Sequence, residues 1–523
     1  MPLFLFRAAI VLALICTTAG SWAQDDPDSQ RLSKEQKRAQ REARKQGGGN
    51  DKRDAATARQ PDDVAALARA SLIWGRPTAT SITANIVAQQ GATARLEYGV
   101  SPGIYTSGSV TTSLAGGKPQ ELELRGLQPD TRYYYRLTLT STGGAAQVGA
   151  EQQFQTQRAP GKTFTFELQG DSHPERPQQF DAALYAQTLR AVAADRPDFY
   201  VLMGDDFSVD TLQQVNAQTV AQRYGLQRPY LALVGQTAPL FLVNGNHEQA
   251  SAANLDGTPD NVAVWAQTRR NALYPQPAPD GFYTGNASPQ PHIGLLRNYF
   301  AWTWGDALFV VIDPYWHSSV TVDKAFDPGR GKGERSDKKL QEVTRAWRDM
   351  WDITLGEAQY RWLQQTLEGS HAKYKFVFAH HVLGTGRGGI EQAGLYEWGG
   401  RDRRGVEGFA QHRSGWSLPI HPLFVKTGVS VFFQGHDHVY ARQELDGVVY
   451  QTLPQPADPN YATHYESAFR SGVLLPSSGR VRVTVGPERA RVEYLRSWLP
   501  QDVPPGHADG ETAHGYEIMA GPN

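Results

Sequence analysis

The stretch Phe164-Thr165-Phe166-Glu167-Leu168-Gln169-Gly170-Asp171-Ser172-His173 decides the fold. A short, largely apolar run ends in glycine and then Asp-x-His, and a run of that length closed by turn chemistry reads as a buried strand. Four more runs follow the same plan. Phe199 to Met203 leads into Gly204-Asp205-Asp206, and Pro239 to Asn244 into Gly245-Asn246-His247-Glu248. Tyr374 to Ala379 leads into His380-His381, and Val429 to Gln434 into Gly435-His436-Asp437-His438. Because each polar cluster comes after its strand, all five gather at the carboxyl edge of a sheet, where open α/β sheets build their sites.

Around these runs the chain alternates. Phe180 to Ala194 reads as a helix between the first two strands, which makes a βαβ unit. A second helix is expected over about Leu355 to Leu367, and two strands joined at Gly305-Asp306 over Asn298 to Pro314. Residues 249–297 and 384–422 are loop-rich, with many Gly, Pro and aromatic residues, and are expected to line the mouth of a pocket. The residues from Pro500 onward, 500–523, read as a polar, loosely ordered tail.

Upstream the period changes. Ser81 to Val87, Thr93 to Tyr98, Glu121 to Leu124 and Tyr133 to Thr140 are short alternating runs separated by turn signals such as Ser101-Pro102-Gly103. That spacing predicts a small antiparallel β-sandwich over 66–157. Arg158 to Lys162 is a short linker, and residues 158–499 read as a larger α/β domain that carries the five clusters. Residues 24–65 hold few large apolar side chains and read as a disordered charged spacer.

Residues 1–23 carry Arg7, an apolar stretch from Ala8 to Cys16 and small residues up to Ala23, the pattern of a cleaved export signal. The stretch is too short to span a membrane, so no transmembrane segment is expected in the mature chain. The expected location is periplasmic or extracellular. Cys16 is the single cysteine of the 523 residues, so after cleavage any metal is held by oxygen and nitrogen alone. With 52 Lys+Arg against 53 Asp+Glu, no global field points to a nucleic-acid partner.

The clusters together supply a binuclear site. Asp171 and His173 can both reach one ion, Asp205 is the natural bridge, Asn246 offers a neutral oxygen, and His380, His436 and His438 offer nitrogens. Two ions so held bind and deprotonate water, clamp phosphate oxygens and neutralise a leaving group. His381 reads as a core histidine or as a substrate contact. Arg387, in the glycine-rich stretch Gly384 to Gly389, reads as a contact to substrate phosphate.

In this order the five blocks resemble the calcineurin-like metallophosphoesterase superfamily and, within it, the purple acid phosphatases. The upstream sandwich resembles the fibronectin-type domain of the plant-type members. The resemblance implies a multidomain chain: an all-β fibronectin-like sandwich, then an α/β four-layer domain of two mixed β-sheets flanked by helices. It implies that Asp171, His173 and His438 hold the first ion, that Asp205 bridges, and that Asn246, His380 and His436 hold the second. His247 would be the catalytic acid or charge stabiliser beside the leaving group. Purple acid phosphatases carry a tyrosine where this chain has Ser208 and usually a glycine where it has His173. The histidine would replace the tyrosine, so no tyrosinate–iron colour is expected, and iron, manganese and zinc all remain open as the pair of ions.

The expected activity is hydrolysis of small-molecule phosphate esters by metal-bound hydroxide, acid-phosphatase-like and on monoesters. A phosphodiesterase with the same site is the alternative, and a non-catalytic envelope-binding protein is a more distant one. Oligomeric state cannot be read from the residues.

Overall fold

The computed structural model describes residues 60–141, 143–320, 349–382 and 386–521, all within one unit, Ala58–Asn523. The expected export signal and most of the charged spacer lie outside the described residues.

Two mixed sheets face each other. The first has six strands in the order Leu240–Leu242, Phe199–Leu202, Phe164–Gln169, Gly479–Val485, Arg489–Arg496 and Thr512–Met519. Its first three strands are mutually parallel and the rest antiparallel. The second has eight, with a parallel centre formed by Ala307–Val311, Tyr374–Phe378, Val431–Gln434 and Val448–Thr452. Antiparallel strands complete it on both sides.

Alternation within each strand explains the layers. In Phe199–Leu202, Phe199 and Val201 enter the layer between the sheets while Tyr200 and Leu202 face the helices. In Ala307–Val311, Phe309 and Val311 point inward and Leu308 and Val310 outward. The layer between the sheets is aromatic: Phe166 stacks on Phe199 at 5.3 Å and meets Phe309 edge-on at 5.2 Å. Trp302, Trp304, Trp316 and Trp398 are buried packing residues. Each buried aromatic or aliphatic side chain contributes about 1.5–3 kcal/mol, so this layer outweighs any surface pairing.

Helices Ala182–Asp195, Ala217–Gly235 and Val262–Leu273 cover the first sheet, and Glu357–Glu368 and Ile420–Thr427 the second. The Asp181 carboxylate caps the first of these, accepting from the Ala183 and Leu184 amides at 2.8 and 2.9 Å. Asn216 and Thr219 form a reciprocal capping box on Ala217–Gly235.

The upstream region is the expected antiparallel sandwich. Ala70–Gly75, Ser81–Ala88 and Gln120–Arg125 form one sheet. Gly108–Leu114, Ala92–Gly99 and Arg132–Ser141 form the other, with Ala146–Val148 and Gln152–Gln155 both pairing with Arg132–Ser141. Trp74 and Tyr133 pack on Phe154 at 4.8 and 5.3 Å.

The sandwich sits on helices Ala217–Gly235 and Val262–Leu273. Arg228 Nε donates to Ser71 Oγ at 2.9 Å, Nη2 to the Asn85 carbonyl at 2.8 Å, and Nη1 to the Leu273 carbonyl. Tyr135 Oη donates to the Gln236 carbonyl at 2.7 Å. The linker residue Arg158 pairs with buried Asp198 at 2.7 Å, and Trp304 Nε1 donates to the same carboxylate.

Three expectations are corrected. Residues 249–297 are not loop throughout, since Val262–Leu273 is a helix capped by Asn261. The tail is not loose, since Thr512–Met519 adds a strand to the first sheet and packs Tyr516 and Ile518 against its core. The spacer ends early, because Asp62–Arg69 is a helix whose Val64 is buried. Its Asp63 carboxylate accepts from Arg190 at 2.6 and 2.7 Å.

Candidate metal centre

The five clusters meet at the carboxyl ends of their strands. The loops that carry them leave ordinary backbone space, with φ of 45° at His173, 59° at Asp205, 67° at His436 and 55° at His438. Left-handed backbone at residues with a side chain costs about 1 kcal/mol or more each, and persists only where the surroundings impose it. Glycine is imposed here by close approach. A Cβ on Gly245 would stand 2.3 Å from Asp205 Oδ1, and one on Gly435 would stand 2.6 Å from Asp171 Oδ1.

Asp171, His173, Asp205, His380 and His438 come together. His438 Nε2 lies 3.0 Å from Asp171 Oδ2, His173 Nε2 lies 3.6 Å from the same oxygen, and His380 Nε2 lies 2.9 Å from Asp205 Oδ2. Two groupings follow, Asp171–His173–His438 and Asp171–Asp205–His380, each able to bring its ligand atoms within 4.8 Å of one another. The two share Asp171, and Asp205 belongs to the second. His436 groups instead with His380 and His381. Asn246 is buried in the loop between Gly245, which packs on Asp205, and His247, whose amide donates to Asp205 Oδ1 at 2.8 Å.

Outer partners aim these rings. The Met203 carbonyl holds His380 Nδ1 at 2.7 Å, and Ser208 Oγ holds His173 Nδ1 at 2.9 Å, with Glu175 at 3.2 Å. That arrangement turns Nε2 of both rings inward. There Nε2 of both rings is buried: that of His173 completes no hydrogen bond among the described residues, and that of His380 faces the Asp205 carboxylate at 2.9 Å without hydrogen-bond geometry. Buried polar atoms are almost always satisfied, so a cluster of exceptions marks a place for a ligand the chain does not itself supply.

The electrostatics agree. Burial alone would raise the Asp171 carboxyl, but the imidazoles of His380 and His438 hold it well below the usual range, and His380 and His247 do the same for Asp205. Burial works against the His380 cation, yet Asp205 and Asp171 carry its pKa up to about 10. Burial wins at His438, which falls to about 4, and at His436 and His381, both held well below the ordinary imidazole value. A proton on His380 supplies the positive charge that the two carboxylates demand.

His247 lies at the edge of this cluster, a fifth exposed, with Nδ1 2.8 Å from Asp210 and Nε2 3.8 Å from Asp205. Against burial, those two carboxylates raise its pKa to about 9. Its Nε2 also lies 2.9 Å from Arg176 Nη2. Arginine can only donate, so that contact requires a neutral ring, and the carboxylates pull toward the charged one. Protonation keeps Asp210 and releases Arg176.

The two residues read as substrate contacts are otherwise engaged. Arg387 Nη1 donates to the His436 carbonyl and to Asp437 at 3.2 Å, and its guanidinium lies 3.6 Å over the Tyr465 ring. His381 is held by Tyr315 Oη at 2.7 Å on Nδ1 and stacks on His436 at 3.9 Å. Gly384 and Thr385 of the neighbouring loop lie outside the described residues.

Sequence reasoning passed over Glu175, Arg176, Ser208 as a partner of His173, Asp210 and Tyr315. For the first two a signal was available: Glu175 and Arg176 follow His173 by two and three residues, within reach of the turn that Asp171 begins.

Residues 166–440, a little over half of the chain, match the family described as calcineurin-like phosphoesterase. Among solved structures, purple acid phosphatase PPD1 from yellow lupin (Lupinus luteus) seeds is similar at 16% identity and a TM-score of 0.55, over 86% of this chain and 74% of that one. PhoD is similar at 16% identity and a TM-score of 0.56, over 89% and 91%. At such identity the likeness establishes a shared fold. No curated protein matches the sequence.

Proposed function

Because the chain belongs to the calcineurin-like phosphoesterases, enzymes that hydrolyse phosphoric esters at a dinuclear metal centre, we propose that it is a phosphomonoesterase whose ions are held by the clustered residues. Asp171, His173 and His438 would hold the first ion and Asn246, His380 and His436 the second, with Asp205 between them. One observation carries this reading: inward-facing imidazole nitrogens, buried and unsatisfied, lie against two carboxylates that are held ionised. The donor set is nitrogen and carboxylate oxygen, which fits zinc, manganese or iron. Ions bound there supply Lewis-acid charge at the phosphoryl group and lower the pKa of a coordinated water.

The chain's own residues do the rest. The Glu175 carboxylate and the Met203 carbonyl, which can only accept, hold the proton of His173 and His380 on Nδ1, with Ser208 Oγ beside the first, and this orients the donors before an ion arrives. Arg387 ties the His436 backbone to Tyr465, and His381 stacks on the His436 ring, so both act as supports for that residue. His247, anchored by Asp210, stands where it can give a proton to a departing alkoxide. Because Ser208 stands where the tyrosine would and His173 would take its role on the first ion, the loaded protein should show no tyrosinate–iron colour. Residues 1–23 would direct export. Among the described residues no helix is long and apolar enough to cross a membrane.

The test is hydrolysis of a chromogenic phosphomonoester by metal-stripped protein reloaded in turn with manganese, zinc and iron. Turnover should return with metal and be absent in Asp205→Ala. A variant that keeps full turnover would sink the proposal.

A further inference from the structure

Arg176 borders the cluster, and no carboxylate fully claims it. Its Nη2 lies 2.9 Å from His247 Nε2, and His247 Nε2 in turn lies 3.8 Å from Asp205 Oδ2, so the guanidinium borders the centre on the His247 side. The side chain is a quarter exposed. Its one carboxylate neighbour, Glu175, stands 3.4 Å from Nε and is shared with His173 at 3.2 Å and Arg223 at 3.7 Å. Glu175 is thus divided among two guanidinium groups and an imidazole, while Asp210 is engaged with His247 Nδ1 at 2.8 Å.

The contrast with Arg387 decides which cation meets substrate. Arg387 is tied to a carbonyl, to the buried Asp437 and to a tyrosine face. Arg176 has a single side-chain hydrogen bond among the described residues, to an imidazole nitrogen. A bond from guanidinium to neutral nitrogen is weaker than the charge-assisted, often paired bonds that guanidinium makes to phosphate oxygens. That bond exists only while the ring is neutral, so a phosphoryl group meets an Arg176 that is weakly held by His247 or already released from it.

We infer that Arg176 is the specificity-determining residue of this site, holding a terminal oxygen of the substrate's phosphoryl group and selecting phosphate monoesters over diesters. The inference rests on the phosphoesterase reading above. A monoester has three terminal oxygens and a diester two. When two oxygens are taken up by the dinuclear centre, the monoester alone has one left for the guanidinium.

The experiment compares the full-length, metal-reconstituted protein with Arg176→Gln and Arg176→Lys, after metal content has been matched. Calorimetric titration with inorganic phosphate reads the contact without turnover. Phosphate affinity should fall about 10- to 100-fold in Arg176→Gln, the range for losing a hydrogen bond to a charged group, and be partly restored by lysine. In parallel, kcat/KM for p-nitrophenyl phosphate should fall by a similar factor, mainly through KM, while that for bis(p-nitrophenyl) phosphate should change less than about threefold. Unchanged phosphate affinity, or equal losses on both esters, would overturn the inference. If the parent protein cleaves neither ester but Arg176→Gln still loses phosphate, the monoesterase proposal fails and the phosphate contact stands. Should the glutamine variant fail to hold metal, the lysine variant decides by the same two readouts.

Discussion

Two buried polar sites in this protein solve the same problem in opposite ways. Arg228, beneath the sandwich, is 4% exposed and has no carboxylate partner among the described residues; burial brings its guanidinium down to about 10, still charged at neutral pH. Ser71, Asn85 and Leu273 take up its donors. At the carboxyl edge of the sheets, the His173 and His380 rings are as deeply buried, yet among the described residues their inner nitrogens complete no well-formed hydrogen bond and face carboxylates instead. The first site is closed by the chain's own atoms, which marks it as a joint. The second is left open toward its own centre, which marks it as a receptacle. Burial of charge alone does not identify function; what separates the two is whether the chain finishes its own hydrogen bonding.

The largest expected effect breaks the receptacle. Asp205→Ala should retain fewer than two ions per chain by elemental analysis, and phosphomonoester turnover should drop below detection. The next breaks the joint. Arg228→Leu strands two carbonyls and a hydroxyl in the interface and should lower unfolding free energy by about 2–4 kcal/mol in urea, with turnover per folded molecule retained. Chelation sharpens the comparison. Removing ions present at a hundredfold their Kd should cost about 2.7 kcal/mol of stability. Because Arg228 shares no partner with the centre, its variant should lose the same amount with and without metal, and a loss that depends on metal would show the two sites to be coupled.

A smaller effect is expected at Ser208→Ala, which leaves His173 Nδ1 to Glu175 alone and should weaken the first ion by about 10-fold in a chelator competition. Smallest of all, Tyr135→Phe removes one hydrogen bond across the sandwich interface and should cost about 1 kcal/mol. An effect on KM from that substitution would give the sandwich a role in the site that its contacts do not suggest.

What the sequence made legible follows the same division. The cluster-bearing strands could be read because each pairs a short apolar run with a polar stop, and helix Ala182–Asp195 could be read from its place between two of them. Ala217–Gly235 could not. Its C-terminal half from Gln227 is buried between the sandwich and the first sheet, so it shows no polar stripe, and Pro229 argues against a helix. Gln267 and Arg270, both buried, hid Val262–Leu273 in the same way, by placing polar residues on its inner face. The engagement of Arg387 and His381 was equally invisible, because Tyr465 and Tyr315 meet them only through the fold. His247 was visible as a histidine in the third block, but its partners Arg176 and Asp210 come from two other loops.

The strand Phe164–Gln169 has a further consequence for the order of assembly. On one side it pairs with Phe199–Leu202, made soon after it, and on the other with Gly479–Val485, made more than three hundred residues later. While the chain is being synthesised, that second edge is bare, and an unpaired edge invites pairing with other chains. Asp171 waits nearly as long for His438. Capture of ions therefore belongs to the finished polypeptide, and a chain truncated before Gly479 should aggregate through this edge and lack a complete first sheet.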